Sequence, residues 1–424
     1  MRRTLGRFEV TCLGINAIVG AGIFALPDDL FRDMGGRSPL AFLLCALGLL
    51  PVAWCYAEAA RSTDRSGGPY VYVRETFGAP AGYLVGWMCF VNSVFAFAAV
   101  ARVAASYLVR MFGLGFGEAG MRSIGVGVIV VFCALNALGA KPGARVAVGF
   151  TLGKLASLLI LLVIAIPAVV PARLFTPPAH GWTGTGHAVF LALFAAQGFE
   201  VAPVPAGETR DAQRIMPFAI LASLIGASLL YVVVQAVMVG AHAGLATPSD
   251  TPLADVALAI APRVGVAVVW GGVISTLGFV AGNAFGTPRY AHAMAEDGYL
   301  PRVLAYVDPI RSAPLGAIAA TAIITVAMTA CFPEGALFGM SNLAVAVQYL
   351  GTSLVIAYLG LRPRVGQPRR PLHVVVGVMG AAMSVWIMSA GTLVETRTAG
   401  IALAIGACFG AGAWLLRRRR GAVR

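Results

Sequence analysis

The stretch VTCLGINAIVGAGIFAL, residues 10–26, decides the fold. Its length suits a hydrocarbon core of ~30 Å. Yet it carries Gly20-Ala21-Gly22 near its middle, with Asn16 one turn earlier and Pro27 at its end. Glycine is about 1 kcal/mol worse than alanine inside a helix. A membrane helix that loosens at mid-depth exposes amides and carbonyls, which is tolerable only where they line a cavity or meet a ligand. The run therefore reads less as an anchor than as half of a binding site. The plainer alternative is small-residue packing between two helices.

The rest of the chain says how many such runs there are. Of 424 residues, 59% are hydrophobic and 12% are charged, against roughly 25% charged in soluble proteins. Twelve apolar runs are long enough to span: 8–27, 39–60, 80–108, 122–140, 145–170, 187–206, 215–241, 263–294, 314–332, 335–361, 371–391 and 398–416. The net charge of +13 would ordinarily raise nucleic acid as a partner. Its distribution gives another reason. With the N-terminus inside, the inside segments hold 22 Lys and Arg. The outside loops hold 7, namely Arg32, Arg37, Arg110, Arg122, Arg173, Arg263 and Arg397, while Arg102 and Lys154 lie within spans. That bias follows the positive-inside rule and places both termini in the cytoplasm. Arg417 to Arg420 then form a basic tail that stops the last span and meets anionic lipid. The N-terminal run has the basic start of a signal peptide but no clean small-residue cleavage site, so it is read as retained. No loop is long enough for a soluble domain.

Several chemistries are missing. The seven cysteines sit in apolar runs without a Cys-x-x-Cys pair and read as small buried hydrophobes. The five histidines are scattered, and no Walker-type Gly-Lys-Ser/Thr occurs. Gly115, Gly117 and Gly120 match a dinucleotide fingerprint, but no strand precedes them, so the match is set aside. The expectation is a non-enzyme without cofactor or metal.

A second interruption falls in span six: Leu193 to Glu200, LFAAQGFE, followed by Pro203 and Pro205. Breaks in spans one and six, five spans apart, fit an inverted five-plus-five repeat with a site at the midplane, an arrangement of which the known broken-helix transporters are the type case. Such a site suits an amino acid. Half-helix N-termini offer amides and a positive dipole end to a carboxylate, and unwound carbonyls accept from an ammonium. Neither needs an ionised side chain at the bilayer centre, where it is expensive. The carboxylate is assigned to the backbone of Ala21, Gly22 and Ile23. The ammonium is assigned to carbonyls near Ile18 and Val19, and near Phe194 and Ala195.

Val19-Gly20-Ala21-Gly22-Ile23-Phe24 resembles the first-helix signature of the amino acid–polyamine–organocation superfamily. Four more stretches agree in order. Tyr56-Ala57-Glu58 with Gly67-Gly68-Pro69-Tyr70-Val71-Tyr72 is similar to the end of its second helix and first cytoplasmic loop. Phe194 to Glu200 is similar to its sixth helix, and Gly207-Glu208 through Arg214-Ile215-Met216-Pro217 to the loop that follows. Arg289 through Ala293-Met294-Ala295-Glu296-Asp297-Gly298-Tyr299-Leu300-Pro301 is similar to the end of its eighth helix. The likeness runs from about residue 8 to 361. It implies an all-α membrane protein, a bacterial amino acid permease that moves its substrate by alternating access. The organisation expected is 8–170 for the first repeat, 187–361 for the second, 371–416 for two further helices and 417–424 for the tail.

Lys154 lies nine residues past Arg145, hence ~13 Å into span five. Either its stem snorkels back to the cytoplasmic face, or it takes up and returns a proton. Its position resembles that of a lysine in the bacterial permease branch, which implies proton coupling or a fixed charge in an exchanger. A sodium ion would want clustered oxygens. Ser275 and Thr276 offer two, but a nearby ammonium would repel the ion. Glu200 is either a proton-relay acid or the acceptor of a nearby donor. Glu58 is expected to pair with Arg61 or Arg65, and Arg102 to reach outward. Selectivity candidates are Asn92, Ser93 and Phe97; Ala196, Gln197 and Phe199; Phe279 and Asn283; and Ser341, Asn342 and Gln348. Phe199 resembles the aromatic that closes over substrate in the family. Each polar candidate is equally able to serve an interhelical hydrogen bond. The pocket list leans to neutral amino acids, by symport with protons or by exchange. The rivals are a cationic amino acid or polyamine antiporter, an exporter, and a membrane sensor. The partners expected are an amino acid, protons and the lipid bilayer of the bacterial inner membrane, with the chain a monomer or homodimer and no nucleic acid involved.

Overall fold

The computed structural model describes residues 6–62, 67–139, 144–178, 182–203, 209–362 and 370–421. Among them the chain is helical throughout, and its one β-bridge joins Asp308 and Ala313 outside any strand. In order, the helices are α1 (Arg7–Ile18), α2 (Gly22–Ala25), α3 (Pro27–Met34), α4 (Pro39–Ser62), α5 (Pro69–Phe77), α6 (Ala79–Phe112), α7 (Glu118–Ala137) and α8 (Ala144–Ala165). Then come α9 (Thr185–Ala196), α10 (Ala212–Ala241), α11 (Pro252–Ile260), α12 (Pro262–Glu296), α13 (Leu315–Cys331), α14 (Glu334–Leu361), α15 (Pro371–Ala390) and α16 (Leu393–Gly421). Among the described residues, ten segments are long and apolar enough to cross a membrane, the first joining α1 and α2. Two of the expected runs fall short as continuous helices: α13 is 17 residues, and α9 stops at Ala196.

Burial sorts the helices. The apolar window of α6 is 83% buried, against 17% for α7 and 11% for α16. The centre is therefore built from α6, α14, α1, α9 and parts of α4, α10 and α12. The rim is α7, α13, α15 and α16, whose outward faces carry residues such as Val130, Ile323, Val378 and Ile401. In a lipid solvent that exposure is the stable arrangement, because apolar side chains lose nothing by facing acyl chains.

The first run breaks where its glycines stand. Val19 caps α1 through its amide on the Ile15 carbonyl, and the Gly20 amide turns back on Ile18 at 2.7 Å. The helix resumes for one turn as α2. The run ends at Ala25, just before Pro27, which also begins the next helix. Pro27 stands at the first helical position of α3, where a missing N–H costs nothing, with Asp28 and Asp29 facing the positive end of the dipole. In the sixth run α9 ends at Ala196, Gln197 is extended, Gly198 has φ +123, and Phe199–Val201 form a single 3₁₀ turn.

The two breaks lie against each other. A Cβ on Gly22 would stand 2.5 Å from both Cα and Cβ of Ala195. A Cβ on Gly198 would stand 2.6 Å from the carbonyl carbon and oxygen of Ala17. Each break thus supplies the glycine that lets the other's backbone approach. Gly198→Ala adds a backbone strain of about 1–3 kcal/mol to that clash. It should lower the melting temperature in detergent by many degrees or abolish recovery of folded protein. Gly226→Ala, where a Cβ meets nothing within 4 Å, should melt at or above the parent.

Candidate functional site

The site is made of backbone first. The amides of Ala21, Gly22 and Ile23 have no backbone acceptor among the described residues, as expected at the start of a helix. Across the gap, the carbonyls of Phe194 and Ala195 accept no hydrogen bond among the described residues. The carbonyls of Ile18 and Val19 are already engaged. Tyr231 donates its hydroxyl to Ile18 at 3.0 Å. Lys154 Nζ donates to Val19 at 2.6 Å and to Asn16 at 3.2 Å.

Lys154 is fully buried and points across the bundle into α1 rather than back toward the end of its own helix. Among the described residues no carboxylate lies within ion-pair distance of it. Its partners are the last carbonyls of a half-helix, the negative end of that dipole. Ser275 reaches the same place from α12, donating to the Gly20 carbonyl at 2.9 Å and to Val19 at 3.4 Å. Thr276 instead turns to Gly272 in its own helix, so the two oxygens expected together do not converge.

Glu200 holds the other break. Its Oε2 accepts the Gly198 amide at 2.8 Å and the Tyr349 hydroxyl at 3.1 Å. Phe199 stacks on Tyr349 with centroids 5.3 Å apart and meets Tyr56 edge-on at 5.7 Å. These three rings form an aromatic plug between α4, the sixth-run break and α14. Phe194 packs on Phe338 with centroids 4.1 Å apart and the rings tilted by 36°.

Of the selectivity candidates, three join in one chain of hydrogen bonds. Gln197 Nε2 donates to Ser341 Oγ at 3.1 Å, and Ser341 Oγ donates to Asn92 Oδ1 at 2.7 Å. The chain links the break to α14 and α6. Asn342 donates to the Phe190 carbonyl at 2.6 Å. Asn283 is satisfied along its own helix, through Phe279 and Thr287. Phe279 lies against Gly20, whose added Cβ would be 3.2 Å from the ring. Phe97, Ala196 and Gln348 are buried, with the Gln348 Nε2 unpartnered among the described residues, and Ser93 is half-buried.

At the ends of the bundle, Glu58 meets Arg61 at 3.5 Å and His373 at 3.7 Å. Arg65, Pro205, Gly207, Glu208 and His180 lie outside the described residues, as do the side chains of the basic tail. Arg102 pairs with Glu118 at 2.6 Å. The residues that sequence reading missed are Tyr231, Tyr107 and Gln235. Tyr107 donates to the Phe24 carbonyl at 2.9 Å and Gln235 to Pro27 at 2.9 Å. Each is a polar group in the middle of an apolar run, and that was the available signal.

On the face opposite the N-terminus a cavity of about 300 Å³ opens above the breaks, lined in part by Ala25, Asp28, Arg102, Glu334 and Phe338. Asp28 is 3% exposed. Burial pushes its carboxyl up from the ordinary 3.8 to about 6, against the pull of the Ser249 amide and Arg32. The folded protein thus holds this proton more tightly than the unfolded chain does. Stability is full below the ordinary value and falls as the pH rises from there through about 6. Asn keeps an acceptor for Ser249 without the charge. Asp28→Asn should therefore melt higher than the parent above pH 6, by the equivalent of about 3 kcal/mol. Near pH 4 the two melting temperatures should coincide; a difference independent of pH removes Asp28 as its source.

The comparisons with known proteins show the family. The family model described as amino acid permease matches residues 5–415. The methylthioribose transporter of Bacillus subtilis is 26% identical over 410 residues, which cover 92% of this chain and 88% of that protein. The serine/threonine exchanger SteT of the same organism is 23% identical over 426 residues, covering 96% and 95%. The cationic amino acid transporter 4 of Mus musculus is 26% identical over 393 residues, and the chain spans 58% of its length. A match of one family model across nearly the whole chain, on a helical membrane bundle, makes this protein a transporter rather than an enzyme, and it belongs to the amino acid permease family.

Proposed function

We propose that this protein carries small neutral amino acids across the bacterial plasma membrane by alternating access, coupled to protons or to exchange. Its twelve spans would have both termini in the cytoplasm. Residues 8–170 and 187–361 would form the inverted repeats, with 371–416 adding two helices. The observation that carries the reading is the pair of breaks set backbone to backbone, with the amides of Ala21, Gly22 and Ile23 free on one side and the carbonyls of Phe194 and Ala195 free on the other. The carboxylate takes the amides and the ammonium takes those carbonyls. Ile18 and Val19 contribute less, because Tyr231 and Lys154 occupy their oxygens.

The side-chain preference follows from what faces the break. Gln197, Ser341 and Asn92 offer neutral hydrogen-bonding groups, which suit a hydroxyl. A cationic side chain would want a free carboxylate, and Glu200 is committed to Gly198 and Tyr349. Glu200 therefore acts as a positioning residue for the break. Lys154 is the proton site: a neutral amine would lose the charge that strengthens its hold on Val19 and loosen α1 from α8, which ties binding to protonation.

Reconstitution in liposomes tests this. Labelled serine and threonine should enter faster than lysine or putrescine. Uptake driven by outside acid identifies symport, and uptake that needs internal substrate identifies exchange. Faster uptake of lysine overturns the neutral preference. Lys154→Ala should flatten the pH profile of uptake; a profile like the parent's removes Lys154 from coupling. Gly22→Val should abolish binding of all substrates alike. A mere shift in selectivity would show that backbone amides do not hold the carboxylate.

A further inference from the structure

Residues 301–314 join α12 to α13 and leave apolar side chains uncovered: Ile310 is 92% exposed, Val303 65% and Tyr306 56%. The segment is nonetheless fixed. Arg302–Leu304 form one 3₁₀ turn, whose Leu304 carbonyl lies 3.1 Å from His292 Nδ1 of α12. The Val303 carbonyl packs on the first turn of α13, where a Cβ on Gly316 would stand 2.3 Å from its oxygen. Asp308 closes a tight turn. Its amide donates to the Ala313 carbonyl at 2.9 Å, and its Oδ1 accepts the amides of Ile310 and Arg311 at 2.9 and 2.8 Å. Ile310 is thus held outward by a built turn, not by a slack one.

What covers these side chains follows from the length of α13. Its 17 residues reach ~25 Å, short of the ~20 residues that a hydrocarbon core requires. The C-terminal end already meets polar partners: Arg102 donates to the Thr329 carbonyl at 3.3 Å and Arg122 to the Ala330 carbonyl at 3.2 Å. Only Phe332 and Pro333 then separate α13 from α14. The missing depth therefore falls at the N-terminal end, where residues 301–314 lie. Because α13 belongs to the rim, with Ile323 70% exposed, that end borders lipid. The charge fits as well. Asp308 spends its carboxylate on its own turn, while Arg302 and Arg311 are exposed and in no ion pair among the described residues. The surface is apolar with two free guanidinium groups.

We propose that residues 302–311 form an interfacial anchor for anionic phospholipid. Ile310, Val303 and Tyr306 enter the boundary between headgroups and acyl chains, a depth that suits tyrosine. Arg302 and Arg311 take the lipid phosphates and gain from the negative surface potential. The apolar depth that α13 lacks is supplied by this segment, which a water-soluble partner would not supply. The anchor also steadies α12 through His292, and α12 carries Ser275 to the Gly20 carbonyl of the first break. The proposal needs a membrane-spanning chain but no particular substrate, so it stands or falls apart from the transport reading.

Fluorescence quenching in vesicles tests this. The full chain, with its exposed Cys331 and Cys408 replaced by serine, carries a bimane label on Ile310→Cys, and Val303→Cys serves as a second reporter. The vesicles mix phosphatidylcholine with phosphatidylglycerol, one or the other brominated near the glycerol end of its acyl chains. Brominated lipid should quench both reporters strongly and aqueous iodide only weakly. Phosphatidylglycerol should be preferred at the site by roughly fivefold for each arginine. Arg302→Gln and Arg311→Gln should each lower that preference by the same factor, with the parent's melting temperature in detergent showing that the variants are folded. Quenching by iodide and not by bromine puts the segment in water and overturns the proposal. Protection from both quenchers, the mark of a surface covered by a second copy, overturns it too. So does a lipid preference that is absent, or that neither arginine variant lowers.

Discussion

The rest of the structure depends on a contact without side chains. Gly22 of the first run lies on the backbone of Ala195, and Gly198 of the sixth run lies on the backbone of Ala17 and Ile18. Close approach of two interrupted helices leaves their free amides and carbonyls facing a shared gap instead of lipid. Hydrocarbon would make those groups cost several kcal/mol each. Burial of one break by the other is what makes both possible.

The surrounding helices hold that contact from several sides. Lys154 and Ser275 fasten the carbonyls at the end of α1, Tyr231 fastens Ile18, and Tyr107 and Gln235 fasten Phe24 and Pro27 beyond α2. Glu200 does the same for Gly198. The unwound segments are thus held by hydrogen bonds from α8, α10, α12 and α6. Further out, Tyr70 and Arg74 of α5 meet Asp297 after α12, Arg74 at 2.7 Å, and Tyr83 stacks on Tyr299 at 4.3 Å. Burial and the neighbouring carboxylate push the Tyr70 phenol up to about 12, so it stays a donor in this lock.

Much of this was legible in advance, for particular reasons. Gly20-Ala21-Gly22 and Gly198 marked the breaks because glycine in a membrane run weakens the helix unless something is gained by it. Lys154 stood out because an ammonium at that depth needs partners. Gly67-Gly68-Pro69-Tyr70 and Glu296-Asp297-Gly298-Tyr299 were recognisable as motifs, but nothing in their sequence said that Tyr70 and Asp297 touch. Pro27 was legible as the end of the first run but not as the start of α3, since a proline that ends one helix and a proline that begins the next look alike without the neighbouring turn. Asn283 looked like a pocket residue, yet it bonds along its own helix, because any polar residue in an apolar run has that local option.

The sequence by itself determined that this is a helical membrane protein, where its first and sixth runs break, and the family to which it belongs. These follow from composition and from local backbone preference, which act over a few residues. Only the tertiary structure decided that the breaks meet, that Lys154 answers to Val19 and Asn16, and that Asp28 and Arg102 share a cavity. Those outcomes depend on the rotation and depth of helices more than seventy residues apart in the chain. Packing sets that register: each helix must bring its small residues and its polar groups to matching partners at once.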